Sequence, residues 1–115
     1  MAGTTASHQR LRRSEDFRAA MRGRRRARHR LVRLVACGNG LPHNRFGFTA
    51  GKRVGPAVVR NRTKRRMREI MHRLALDEGH DIVVIAEPAS VIAKFDELQA
   101  AIEQCARRMA LLNGE

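Results

Sequence analysis

Tryptophan and tyrosine are absent from this chain, cysteine occurs only twice, and Asp and Glu number 11 against 24 Lys and Arg. Cys37 and Cys105 are too few for a disulfide framework and too far apart for a C-x-x-C motif, so both are expected to be reduced and partly buried. His8, His29, His43, His72 and His80 show no metal-ligand spacing with them, which argues against a structural zinc. Long apolar runs are missing too. The longest, Ile82 to Ala86, is far too short to span a bilayer, and the opening stretch MAGTTASHQRLRRSEDF has no apolar segment of signal-peptide length. The expectation is a cytoplasmic protein with no membrane partner.

What the chain has is positive charge. A net charge of +13 and a pI near 11.7 make a polyanion the expected partner, because sequence-independent attraction to phosphates is the main consequence of such an excess. Residues 1–36 hold 11 Lys and Arg against 2 acids, residues 37–74 hold 10 against 1, and residues 75–115 hold 3 against 8. The basic character therefore lies in the first two thirds. A length of 115 residues with 43% hydrophobic content suits one modest core. Residues 1–10 are polar and aperiodic and are expected to form a flexible tail, leaving 11–115 as a single domain.

Ser14 is placed to cap a short helix reaching about Met21, with Glu15 and Asp16 in its first turn and Phe17 and Met21 on one face. RRRARHR after Gly23 reads as a basic connector into a strand from about His29 to Ala36. The Gly, Asn and Pro of residues 38–44 predict a turn, followed by a strand from Arg45 to about Lys52. On that strand Phe46, Phe48 and Ala50 share one face. Arg45, Gly47, Thr49 and Gly51 lie on the other, whose small and polar residues leave room for a ligand chain to lie across the sheet.

Gly55-Pro56 then opens a helix whose Met67, Ile70, Met71 and Leu74 define a core face at helical spacing. Asn61, Arg65, Arg68 and His72 share a different face, flanked by Arg62, Arg66 and Arg73. Ile82 to Ala86, uninterrupted and β-branched, suits a central strand buried on both faces. A last helix from about Phe95 to Leu112 carries a core stripe. The order predicts an α+β two-layer sandwich of a roughly four-stranded sheet and helices.

Six Lys and Arg fall within the nine positions Arg60 to Arg68, and Glu69 is the sole acid among the nine basic residues from Lys52 to Arg73. A merely solvated helix face usually mixes signs for i,i+4 pairing, so this one points to nucleic acid. Guanidinium groups donate in a planar fork that matches phosphate oxygens, and Asn61 adds a side chain able to reach a base edge, ribose or phosphate. RNA is favoured over DNA. The chain has no helix-turn-helix pattern or zinc-finger spacing, and its sheet face suits a single strand.

GFTAGKRVGPAVVRNRTKRRMRE, Gly47 to Glu69, resembles the signature of the protein subunit of bacterial ribonuclease P, with its Arg-Asn-Arg helix after a Lys/Arg-rich strand end. The resemblance runs from about Leu11 through SEDF to DIVVIAEP and the closing helix. It implies an endoribonuclease whose RNA subunit carries the active site and cuts precursor tRNA to its mature 5′ end, with this chain monomeric within the ribonucleoprotein. It also implies a left-handed β-α-β crossover around the basic helix, against the usual handedness. Arg60, Asn61, Arg62, Lys64, Arg65 and Arg68 would contact the RNA subunit. Phe17, with Arg13, Arg33, Lys52 and Arg53, would hold the single-stranded 5′ leader, and magnesium would be bound largely by RNA.

The chain departs from the family in having Met21, Leu34 and Val35 where further aromatics often stand, which leaves base stacking mainly to Phe17. Gly51 and Pro56 differ as well. A ribosomal or other structural RNA-binding protein of similar fold is the alternative function. A protein-borne nuclease would need carboxylates gathered around metal ions, whereas Glu15/Asp16, Asp77/Glu78 and Asp96/Glu97 are adjacent pairs at helix ends, where capping and dipole interactions explain them.

Overall fold

A computed structural model describes residues 8–113. Eight elements follow one another: β1 (His8–Arg10), α1 (Ser14–Met21), β2 (Arg25–Arg28), β3 (Val32–Gly38), β4 (Asn44–Ala50), α2 (Ala57–Arg73), β5 (His80–Ala86) and α3 (Phe95–Arg108). Short 3-10 turns at Lys52–Val54 and Pro88–Ile92 lead out of β4 and β5. The sheet has five strands in the order β1-β4-β5-β3-β2, one more than the rough four expected.

β5 is central, parallel to β4 and antiparallel to β3. Its unbroken run of β-branched residues supplies both faces. Ile82, Val84 and Ala86 meet Met67, Ile70 and Met71 of α2 and Leu98, Ile102 and Cys105 of α3 in the larger core cluster. Val83 and Ile85 face the other way, into a smaller cluster with Leu11, Ala20 and Val35, against which Phe17 and Met21 pack. The two layers of sheet and helices are therefore present, with α1 added on the opposite face. Because α1 has only eight residues, it covers part of that face and leaves a cleft beside it.

The fold differs from the sequence reading at both sheet edges. Residues 1–7 of the expected tail lie outside the described residues, whereas 8–10 form β1, parallel to β4 with His8 opposite Asn44. The basic connector contains β2, which pairs antiparallel with β3 from Arg25↔Ala36 to Arg28↔Arg33. Its period-2 signal rests on Ala27 alone, buried between exposed arginines. Those arginines suit an edge strand, where charge discourages pairing with another chain. Arg26 turns back instead, donating to the carbonyls of Gly23 and Met21 at 3.0 and 2.7 Å and so capping the end of α1.

The expected helix caps differ as well. Ser14 is the first residue of α1 rather than its cap, which is Arg13 in extended conformation without a side-chain bond. Pro56 caps α2, its carbonyl accepting from the N–H groups of Val59 and Arg60. α3 stops at Arg108, four residues short of Leu112. Ala110, at φ 57°, reverses the chain there; Leu111 turns wholly inward, its carbonyl accepting from the N–H of Asp77, and the N–H of Asn113 donates to the carbonyl of Ala75. Cys105 is buried and Cys37 partly so, and burial pushes both thiols above their ordinary pKa.

Candidate nucleic-acid interface

α2 divides into three faces. Thr63, Met67, Ile70 and Met71 are buried, with the Thr63 hydroxyl returned to the Val59 carbonyl at 2.9 Å. Arg66 and Arg73, which the sequence placed beside the cationic face, are turned toward α3. Arg66 donates to the carbonyl of Ala93 at 2.7 Å; Arg73 bonds Glu69 at 3.0 Å and lies over the Phe95 ring at 4.8 Å. Arg66 thus ties α2 to the segment just before α3, and Arg73, though exposed, is engaged with Glu69 of its own helix and Phe95 of α3.

The remaining cations face outward. Asn61, Arg62 and Arg65 are exposed, and among the described residues neither Arg62 nor Arg65 has an ion-pair partner. Arg60 is half-buried with its Nε–H aimed at no acceptor among the described residues. Lys64 and Arg68 lean toward the β1 side of β4. The Arg68 guanidinium sits 5.4 Å from the centre of the Phe48 ring, and burial, then the nearby Arg10, lowers its pKa.

Phe17 lies between two recesses. On one side is the cleft beside α1, of about 370 Å³, with Phe17 and Met21 as its wall, Thr49, Ile85 and Ala86 as its floor, and Arg33, Lys52 and Arg53 at its rim. On the other is a hollow of about 270 Å³ that Phe17 shares with Lys64 and Arg68. Two of the six residues assigned from sequence to the RNA subunit, Lys64 and Arg68, thus come up to the ring that walls the expected leader cleft, whereas Arg60, Asn61, Arg62 and Arg65 line neither recess. Gly47 is the reason it fits: a Cβ there would come within 2.8 Å of the Phe17 ring. The room expected along β4 is therefore taken at Gly47 by the chain's own Phe17 and Leu11. It stays open farther along, at Thr49 and Gly51, where nothing lies within 4 Å of a Cβ built on Gly51.

Of the five expected leader contacts, four line the cleft and Arg13 does not, being exposed at the start of α1. Lys52 and Arg53 are carried by the 3-10 turn and are exposed at the cleft's rim. Arg33 is different: its Nε lies 3.0 Å from Glu87 Oε2, an ion pair though not an aligned hydrogen bond. A phosphate entering the cleft competes with Glu87 for that guanidinium.

Arg45 sets the position of α1. It donates to both carboxylate oxygens of the buried Asp81 at 2.9 and 2.8 Å and to Asp16 of α1 at 3.2 Å. The hydrogen bonds and charge of Asp81, and then Asp16, raise its pKa despite the cost of burial. Sequence reasoning gave Asp16 only a helix-dipole role, and placed Arg45 without a partner. Arg10 and Arg12 were missed too, for want of any periodic signal near β1. They join Arg68 at a third recess.

Among the described residues no three His, Cys, Asp or Glu side chains converge to hold a metal ion, and no helix is long and apolar enough to cross a membrane.

Comparison with known proteins places this geometry. A sequence model of the family described as Ribonuclease P matches residues 6–110. The Ribonuclease P protein component of Acidothermus cellulolyticus is 45% identical over 107 residues, 90% of this chain and 89% of the relative, and that of Alkaliphilus oremlandii is 35% identical over 106 residues, covering 90% and 93%. Among solved structures, the RNase P protein of Staphylococcus aureus superposes with a TM-score of 0.79 at 27% identity, covering 90% of this chain and 97% of that one. The RNase P protein of Thermotoga maritima gives 0.78 at 25%, covering 87% and 96%.

Proposed function

Because the chain belongs to the ribonuclease P protein family, and so is the protein component of an endoribonuclease that matures the 5′ end of tRNA, we propose that two of its surfaces divide the work. The outer face of α2, with Arg60, Asn61, Arg62, Lys64, Arg65 and Arg68, binds the RNA subunit. The cleft beside α1, with Phe17, Arg33, Lys52 and Arg53, holds the single-stranded 5′ leader of precursor tRNA. Arg13, outside the cleft, contributes charge at its approach. Family membership decides against the ribosomal alternative.

One observation carries this reading: Arg62 and Arg65 stand exposed on one helix with no ion-pair partner among the described residues, where like charges a turn apart repel by roughly 0.2–0.5 kcal/mol per pair. A phosphate chain laid along the helix turns that repulsion into attraction. In the cleft, Lys52 and Arg53 meet leader phosphates while Phe17 offers a ring for stacking, worth roughly 1–3 kcal/mol per base. Bond cleavage belongs to the RNA subunit in this reading, and magnesium sits on RNA phosphates. One copy of the chain serves each particle, in the cytoplasm and away from membranes.

Reconstitution with a bacterial ribonuclease P RNA tests the reading. The protein is expected to lower the magnesium requirement and to improve cleavage of precursor tRNA; if it does neither, the reading is wrong. Replacing Arg62 and Arg65 with Ala is expected to flatten the dependence of log K on log salt by about 0.7–0.9 per lost contact. An unchanged slope returns both to a solvated face.

A further inference from the structure

The third recess, of about 390 Å³, lies between β1, β4 and α2, on the far side of Phe48 from the core. Its chemistry is of two kinds. Arg10, Arg12 and Arg68 supply three guanidinium groups, and no carboxylate lines it. Phe48, set edge-on to Phe46 at 6.1 Å, forms an aromatic floor on which the Arg68 guanidinium already lies. His72 closes the side, its ring 6.1 Å from that of Phe46.

Arginines alone would suit any anion, and an apolar floor alone would suit any greasy group. Together they suit a nucleotide, whose base stacks on an aromatic ring or on a guanidinium plane while its phosphate takes the forked donors. A paired base has both faces covered by its neighbours, so the occupant must be unpaired. We propose that this recess holds one unpaired nucleotide of the RNA bound along α2, with its base against Phe48 and Arg68 and its phosphate on Arg10 and Arg12. This rests on the reading of α2 as the RNA-subunit surface. It adds a contact that depends on base stacking, which charge on the outer helix face cannot supply. The partial desolvation of Arg68 beside Arg10 makes the same point electrostatically, since an anion there relieves two like charges held together.

The test uses the full chain with the ribonuclease P RNA. Phe48→Leu keeps an apolar floor but removes the ring, and is expected to weaken RNA binding roughly tenfold with an unchanged salt slope. Arg10→Ala with Arg12→Ala, both at exposed positions, is expected to weaken binding and flatten the slope. Undiminished binding by folded Phe48→Leu overturns the proposal. If that variant does not fold, Phe48→Trp places the chain's one tryptophan in the recess, and its fluorescence is expected to be quenched by the RNA subunit. Unquenched emission at saturating RNA overturns the proposal, as does quenching by 5′-AMP but not by the RNA, which would assign the recess to a free nucleotide. The premise fails separately: its failure appears as an unaltered salt slope in the Arg62 and Arg65 variant, whereas failure of the recess alone leaves that variant impaired and Phe48→Leu intact.

Discussion

At Arg45 three elements meet, because one guanidinium holds Asp81 of β5 by two bonds and Asp16 of α1 by a third. The Asp81 side chain is only 6% exposed, and Asn39 Nδ2 is its other partner at 2.9 Å. Removing Arg45 strands a buried carboxylate, so Arg45→Ala is expected to cost about 3 kcal/mol in urea unfolding. Replacing both partners, Arg45→Met with Asp81→Leu, is expected to cost less than Arg45→Ala alone, because no buried charge is then left uncompensated. A double variant as weak as the single one would mean that the pair is not what holds this site. Loss of the Asp16 bond also frees α1, the wall that carries Phe17, and leader discrimination should fall with it.

The end of α3 is an element whose boundary is set against the preference of its own residues. Leu111 N–H reaches the Ala106 carbonyl at 2.9 Å and Ala110 N–H that of Arg107 at 3.0 Å, the paired bonds of a Schellman turn, which places Ala110 in the left-handed region at φ 57°. Glycine takes that conformation without the clash of a Cβ, so Ala110→Gly is expected to stabilise the protein by about 1 kcal/mol after allowing for its freer unfolded chain. A rise of about 4 °C in melting temperature is the corresponding readout; a fall would show that the turn does not control the helix end.

Missing glycine is also why the sequence predicted a helix running on to Leu112. Where periodicity was strong the elements were legible: Met67, Ile70 and Met71 of α2 and Leu74 at its end are all buried, as is the run from Ile82 to Ala86. β1 and β2 were not, since three residues and a lone Ala27 carry no period, and both take their form from the strands beside them. The candidate site divides in the same way. Charge density marked Arg60 to Arg68 and the strand exit at Lys52 and Arg53. No local pattern told that Arg66 and Arg73 would turn toward α3, or that Phe17 would seat on Gly47.

For the molecule as a whole, the sheet sorts the candidate-site groups by face and edge: the cleft and α1 on one side, α2 on the other, with Phe17, Lys64 and Arg68 meeting around the β1 edge of β4. That arrangement requires β5 between β3 and β4, which are consecutive in the chain and joined only by residues 39–43. A turn of that length, with Gly40 at φ 70°, would let β3 and β4 close on each other long before the 80s are available, and short-range closure is the entropically cheaper event. Such a hairpin would have to part before the central strand could enter. Refolding is therefore expected to slow away from a straight limb at low denaturant, as a premature pairing becomes too stable to open quickly, while unfolding stays linear. A V-shaped plot with two straight arms would mean that the gap for β5 is kept open from the start. During synthesis the same order makes the last third of the chain the keystone, so that a ribosome stalled before Ile82 would expose the basic helix on a body that has no finished sheet to hold it.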